Sequence, residues 1–176
     1  MSDGTILTAT LQGTWALGLL GFVTLQRLGE LAVSRHNTRL LLARGAVEAA
    51  PGHYPLLVGL HAAWLAGLWY IALSQPIGSL DKSMVALFLL LQAMRLWVLA
   101  TLGRRWTTRI LVVPGETLIR RGPYRWLAHP NYCVVAGEIM VLPLAFGLVW
   151  YAIVFSLLNL VLLWVRIGAE NKALGR

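Results

Sequence analysis

The sequence predicts an all-α integral membrane protein of about five transmembrane helices, with a C-terminal helical hairpin beside an interfacial segment. Three observations carry that expectation. Of the 176 residues, 58% are hydrophobic and only 12% charged, about half the charge density of a soluble domain. Apolar runs of about 20 residues, enough to cross a bilayer, recur along the chain. The basic residues gather between those runs, and the mean hydropathy is +0.69. The length suits a single domain over 1–176.

No Lys, Arg, Asp or Glu falls between Asp3 and Arg27, so a first span is expected at roughly 7–28. The uncharged stretch from Ala49 to Leu80 holds a second, at roughly 54–74. A third runs from about Met84 to Leu102 and is interrupted by Arg95. From Asn131 to Val165 Glu138 is the lone charge, and that length suits a hairpin bent at Pro143 and Gly147. The first three spans (1–102) form a scaffold, and 103–176 is the expected cofactor-binding and catalytic region.

With five spans, thirteen of the fifteen Lys and Arg lie on one side. They sit in a first connection (Arg27, Arg35, Arg39, Arg44), in a third (Arg104, Arg105, Arg109, Arg120, Arg121, Arg125) and in the tail (Arg166, Lys172, Arg176). Lys82 alone marks the other side, so the expected orientation is N-terminus outside and C-terminus inside. The net charge of +8 then reflects topology and attraction to anionic lipid headgroups. Nucleic acid is not an expected partner, because no basic region stands clear of the membrane. The single Cys133 leaves no intrachain disulfide or multi-cysteine metal site, and no metal is expected. The N-terminal run lacks a basic leader and a small-residue cleavage motif, so it reads as a retained anchor.

Polar groups concentrate in GRRWTTRILVVPGETLIRRGPYRWLAHPNY and again at Arg166–Asn171. The Pro-Gly and Gly-Pro pairs impose turns. The pieces ILVV and ETLI are too short to span and too apolar for free solvent. Their backbone groups need partners from protein or ligand. Pro130 disfavours helical geometry at His129 and suits the first turn of a following helix, which puts His129 at a helix mouth. Arg166 and Glu170 share a helix face, and a charge at the end of an apolar span is costly unless partnered. Arg95 and Glu138 lie within spans, where they are functional candidates or partners of each other. His53 and His61 read as interfacial or packing residues, and the tryptophans as interface belts and bundle packing.

The run GPYRWLAHPNY, the hairpin, and R-x-x-x-E at Arg166–Glu170 resemble the isoprenylcysteine carboxyl methyltransferase family over about residues 103–174. ELAVSRHNTRLLLARGAVE and HYPLLVGLHAAWL look like its bacterial branch, which includes alkylpyrone O-methyltransferases. The resemblance implies an integral membrane methyltransferase using S-adenosyl-L-methionine on a lipophilic substrate from the membrane. It implies cofactor contacts from a strand-like stretch at Glu116, Thr117, Leu118 and Ile119, from Tyr124, from His129, Pro130, Asn131 and Tyr132, and from Glu170. Arg166 would face the substrate as the catalytic residue. Two positions depart from the family pattern, Ala128 for its usual Arg and Asn171 for a second Glu.

The chemistry agrees with so modest a polar set. A sulfonium methyl is already electrophilic, and the protein's task is alignment. A carboxylate or a pyrone enol is largely ionised at neutral pH, and Arg166 could orient it by paired hydrogen bonds. Amine methylation, as in phospholipid N-methyltransferases, would need a dedicated base, for which only His129 and Glu138 are candidates. A non-enzymatic scaffold or transporter protein is the alternative from another class. A lipid reductase would need a dinucleotide fingerprint that is not found.

Overall fold

The structure, a computed structural model, describes residues 3–75 and 77–175, with side chains from residue 13 onward. Among the described residues, five α-helices make up the bundle: α1 (Asp3–Ala43), α2 (His53–Ser74), α3 (Lys82–Leu102), α4 (Pro130–Ala145) and α5 (Val149–Ala173). Two short strands, β1 (Val47–Glu48) and β2 (Leu111–Val112), pair antiparallel. The all-α membrane class is as expected. Four helical segments are long and apolar enough to cross a bilayer: Gly13–Ala43, His53–Ser74, Lys82–Arg105 and Val149–Ala173. The 16 residues of α4 rise only about 24 Å, short of a hydrocarbon core about 30 Å thick. The expected hairpin is therefore one short helix against one long one.

The first helix departs furthest from expectation. It has 41 residues, or about 62 Å, twice the hydrocarbon thickness. Arg27, Arg35 and Arg39 lie on this helix, not in a connecting loop. The Leu-, Ala- and Arg-rich run from Leu31 to Ala43 favours helix and offers no breaker. The helix stops where Gly45 takes φ +84°. There Ala46 N–H donates to the Leu41 carbonyl (3.0 Å) and Gly45 N–H to Leu42 (3.0 Å), a Schellman ending closed by the buried Leu41 and Ala46. The same device makes the hairpin turn. Gly147 (φ +74°) follows Pro143, and Leu148 and Gly147 donate to the carbonyls of Pro143 (2.9 Å) and Leu144 (2.9 Å).

The outer surface is what a bilayer favours. Trp15, Leu25, Tyr70, Trp150 and Trp164 are exposed, where an aqueous surface would leave a large apolar patch. Trp64 and Trp106 pack inside instead. Lipid tails are as apolar as Leu, so bundle cohesion rests on close packing and polar contacts between helices. The core of Leu20, Val23, Trp64, Leu68, Phe88, Ile139 and Leu142 supplies the first.

A buried charge cluster supplies the second. Arg95 on α3 grips Glu138 on α4 with two nitrogens, Nε (2.8 Å) and Nη2, and reaches Glu30 on α1 through Nη1 (3.1 Å). Arg27 on α1 bridges the same two carboxylates at 2.9 and 2.5 Å. Gln92 donates to Glu138 (2.8 Å) and Gln26 to Glu30 (3.0 Å). Two cations and two anions cancel, so the depth costs no net charge. Arg95 and Glu138 do pair, and α1 joins them.

Candidate functional site

Beyond the helices, the polar segment after α3 folds back over the far end of α1. Asn37 donates to the carbonyls of Gly103 (3.2 Å) and Trp106 (2.8 Å), while Thr108 N–H donates to Ser34 Oγ (2.8 Å). Ala49 N–H bonds the Ile110 carbonyl (2.9 Å) beside the β1–β2 ladder. The backbone of ILVV thus finds its partners in the N-terminal half. The expected strand-like stretch Glu116–Ile119 carries no ladder, because the Pro114-Gly115 turn precedes it and β1 is only two residues long. It runs without regular structure, anchored by Arg105, which holds the Thr117 carbonyl (2.8 Å) and Glu116 (2.8 Å). Arg44 also pairs with Glu116.

A cavity of about 470 Å³ opens beneath this segment, within the usual range for small-molecule sites. Glu116, Thr117, Leu118, Ile119, Tyr124, His129, Asn131, Tyr132, Arg166 and Glu170 all line it. Pro130 does not line it. It is buried in the first turn of α4 and sets the direction of its neighbours.

The Arg166–Glu170 pair meets through a third residue, not directly. Tyr132 hydroxyl donates to Glu170 Oε2 and accepts from Arg166 Nε (2.9 Å). Arg166 also donates from Nη2 to the Thr108 carbonyl (2.6 Å) and is buried at 5% exposure. His129 stacks on the Tyr132 ring at 5.4 Å. Its Nε2 lies 3.0 Å from Asn171 Oδ1, within hydrogen-bonding distance. Nδ1 faces Glu170 Oε2 at 3.7 Å. Burial, with the Glu170 charge adding to it, pushes the Tyr124 phenol above its ordinary value. It stays a neutral hydroxyl at physiological pH.

Several valences remain free among the described residues. Asn131 Oδ1 is buried without a partner, and Glu170 Oε1 and Arg166 Nη1 make no hydrogen bond. Glu170 and Arg166 line the cavity, where such groups can meet a ligand. The first half contributes as well: Tyr54, His61, Arg27, Glu30 and Arg95 also line the cavity. Arg95 is expected from its place within a span; for Tyr54 and His61 the signal is the spacing Tyr54–Leu57–His61, one stripe of α2.

The fold is a membrane-type helical bundle with a cavity beneath the polar segment that follows α3. The family model for "Isoprenylcysteine carboxyl methyltransferase (ICMT) family" matches residues 84–176. The uncharacterized protein YpbQ of Bacillus subtilis (strain 168) is 39% identical over 158 residues, covering 89% of this chain and 94% of the relative. An uncharacterized protein of Haemophilus influenzae is 27% identical over 151 residues, covering 84% and 88%. No solved structure matches the chain. The protein belongs to the isoprenylcysteine carboxyl methyltransferase family, whose membership implies a membrane methyltransferase.

Proposed function

We propose that the protein transfers a methyl group from S-adenosyl-L-methionine to an acidic oxygen of a lipophilic acceptor drawn from the membrane. The observation that carries this reading is the set of free valences around Tyr132. The residues fit the cofactor: Glu170 Oε1 is an acceptor suited to an ammonium or an amino group. Leu118, Ile119 and Tyr124 offer apolar and aromatic surface suited to a purine. Once bound, the cofactor supplies an electrophilic methyl on a sulfonium.

The residues of the chain do the rest. Asn171 holds His129 against Tyr132, and Tyr132 holds Glu170 and Arg166 apart and oriented. Arg166 Nη1 is left to orient the acceptor oxygen. Exposed residues border the cavity at two places, Thr117, Leu118 and Ala128 on one side and Leu28, Val58 and Ala62 between α1 and α2 on the other. The first suits a water-borne cofactor and the second an acceptor arriving from lipid.

The exposed Arg35, Arg39, Arg104, Arg120, Arg121, Arg125 and Lys172 lie at the cavity's end of the bundle, and Lys82 at the other. This supports a cytoplasmic cofactor site with the N-terminus outside. The bacterial relatives support an inner-membrane location. The test is to incubate the purified protein with labelled cofactor and a bacterial lipid extract. Label should enter a lipid as a methyl ester or enol ether, and Arg166→Ala should lose that turnover. Label found only on lipid amines, at an undiminished rate in Arg166→Ala, would overturn O-methylation.

A further inference from the structure

Outside the cavity, one surface combines exposed aromatic rings with uncompensated charge. The turn Gly122–Arg125 packs against the end of α3. Gly122 takes φ +55°, and a Cβ there would collide with Thr101 Oγ1, so glycine alone allows so close an approach. Trp126 follows the turn and lays its ring against Trp97 of α3, with ring centroids 5.9 Å apart and planes tilted by 60°. Both rings stay exposed, Trp97 at 46% and Trp126 at 68%. Trp97 lies inside the apolar span Lys82–Arg105, little more than a turn from the end of α3. The pair therefore opens on lipid at the level where aromatic rings settle, between acyl chains and headgroups.

Three guanidiniums flank this pair on the water side. Arg125 precedes Trp126, Arg121 precedes Gly122, and Arg104 follows Gly103 at the end of α3. All three are exposed, and none makes an ion pair or side-chain hydrogen bond among the described residues. The carboxylates at this end are already engaged. Glu48 takes Arg109 (2.8 Å), Glu116 takes Arg44 and Arg105, and Glu170 takes the Tyr132 hydroxyl. The surface thus offers positive charge with no anion of its own to meet it. A soluble acidic partner would suit the arginines but could not reach rings that open on hydrocarbon. A phospholipid suits both, with its phosphate toward the arginines and a chain along the rings.

We infer that the junction of α3 with the Gly122–Arg125 turn is a discrete binding site for one anionic phospholipid of the adjoining leaflet. Arg104, Arg121 and Arg125 receive its headgroup phosphate, and Trp97 and Trp126 receive its acyl chain. Diffuse attraction to a basic face has no fixed place, whereas this site has a place and a stoichiometry of one. Tyr124 sits between Arg121 and Arg125 and lines the cavity, so the bound lipid steadies the turn that carries a cavity residue. Neither the site nor its lipid depends on the reaction performed in the cavity.

The full-length protein in detergent micelles, given equimolar phosphatidylglycerol and phosphatidylcholine of matched chains, can be weighed with its bound lipids by native mass spectrometry. One phosphatidylglycerol should stay bound, preferred over phosphatidylcholine at least about tenfold. Arg121→Gln with Arg125→Gln should abolish that preference, since each arginine near an anionic headgroup contributes about fivefold. Arg35→Gln with Arg39→Gln removes the same charge from exposed positions of α1 and should leave the preference intact. Trp126→Ala should lose the lipid while keeping every arginine. Equal losses in the two double variants would mean a diffuse field and overturn the site. Equal retention of the two lipids by wild-type protein, or full retention of phosphatidylglycerol by Trp126→Ala, would overturn it as well. Poly-glutamate bound through Arg121 and Arg125 in place of phosphatidylglycerol would make the surface a protein-docking one and overturn the lipid assignment.

Discussion

Two clusters of Arg, carboxylate and hydrogen-bonding side chains stand in this molecule, and they differ in what they leave unsatisfied. In the inner cluster, Arg27, Glu30, Arg95 and Glu138 bind one another across α1, α3 and α4, and Glu138 is fully buried with both oxygens occupied. In the outer cluster, Tyr132 stands between Arg166 and Glu170, while Glu170 Oε1 and Arg166 Nη1 make no hydrogen bond among the described residues that line the cavity. The residue types are nearly the same. Mutual pairing across three helices makes the first a staple, although Gln92 Oε1 beside it is buried without a partner, and the open groups of the second make it the proposed site.

The sharpest way to break that comparison is to remove one partner from each. Glu138→Ala leaves two guanidiniums facing each other in a buried place, and an unfolding measurement in detergent should show a loss of about 3–5 kcal/mol. A loss below about 1 kcal/mol would mean the cluster is not a staple. Tyr132→Phe should keep the fold but release Glu170 and Arg166. Hydrogen bonds to charged groups contribute about 1.5–3 kcal/mol, so cofactor affinity should fall roughly tenfold or more by calorimetry. Smallest is Arg44→Ala. Arg44 is 56% exposed in its pair with Glu116, and a surface pair contributes about 0–1 kcal/mol. Its melting temperature should barely move.

How far the sequence could be read follows the same division. Apolar runs announce themselves, so α2 at His53–Ser74 and α3 at Lys82–Leu102 fall within a few residues of the expected 54–74 and 84–102. The hairpin bend was legible because Pro143 and Gly147 are local signals. The extension of α1 was not, because basic residues after an apolar run look the same in a loop and on a protruding helix. The candidate site was legible where a motif carried it, at His129 to Tyr132 and at Arg166 with Glu170. Its links were not, because Tyr132 lies 34 residues from Arg166 and His129 lies 42 from Asn171. Asn171, a departure from the family pattern in the sequence, is in the structure the hydrogen-bond partner of His129. The wall on α2 was faint, because the spacing Tyr54–Leu57–His61 marks one stripe but does not separate packing from chemistry.

The outer cluster is proposed to hold S-adenosyl-L-methionine through the free carboxylate oxygen of Glu170. Calorimetric titration of the purified protein in detergent tests it most directly, with wild-type and Glu170→Ala compared at equal thermal stability. Saturable binding by wild-type protein, abolished in Glu170→Ala, is the expected result. Unchanged affinity in Glu170→Ala would contradict it.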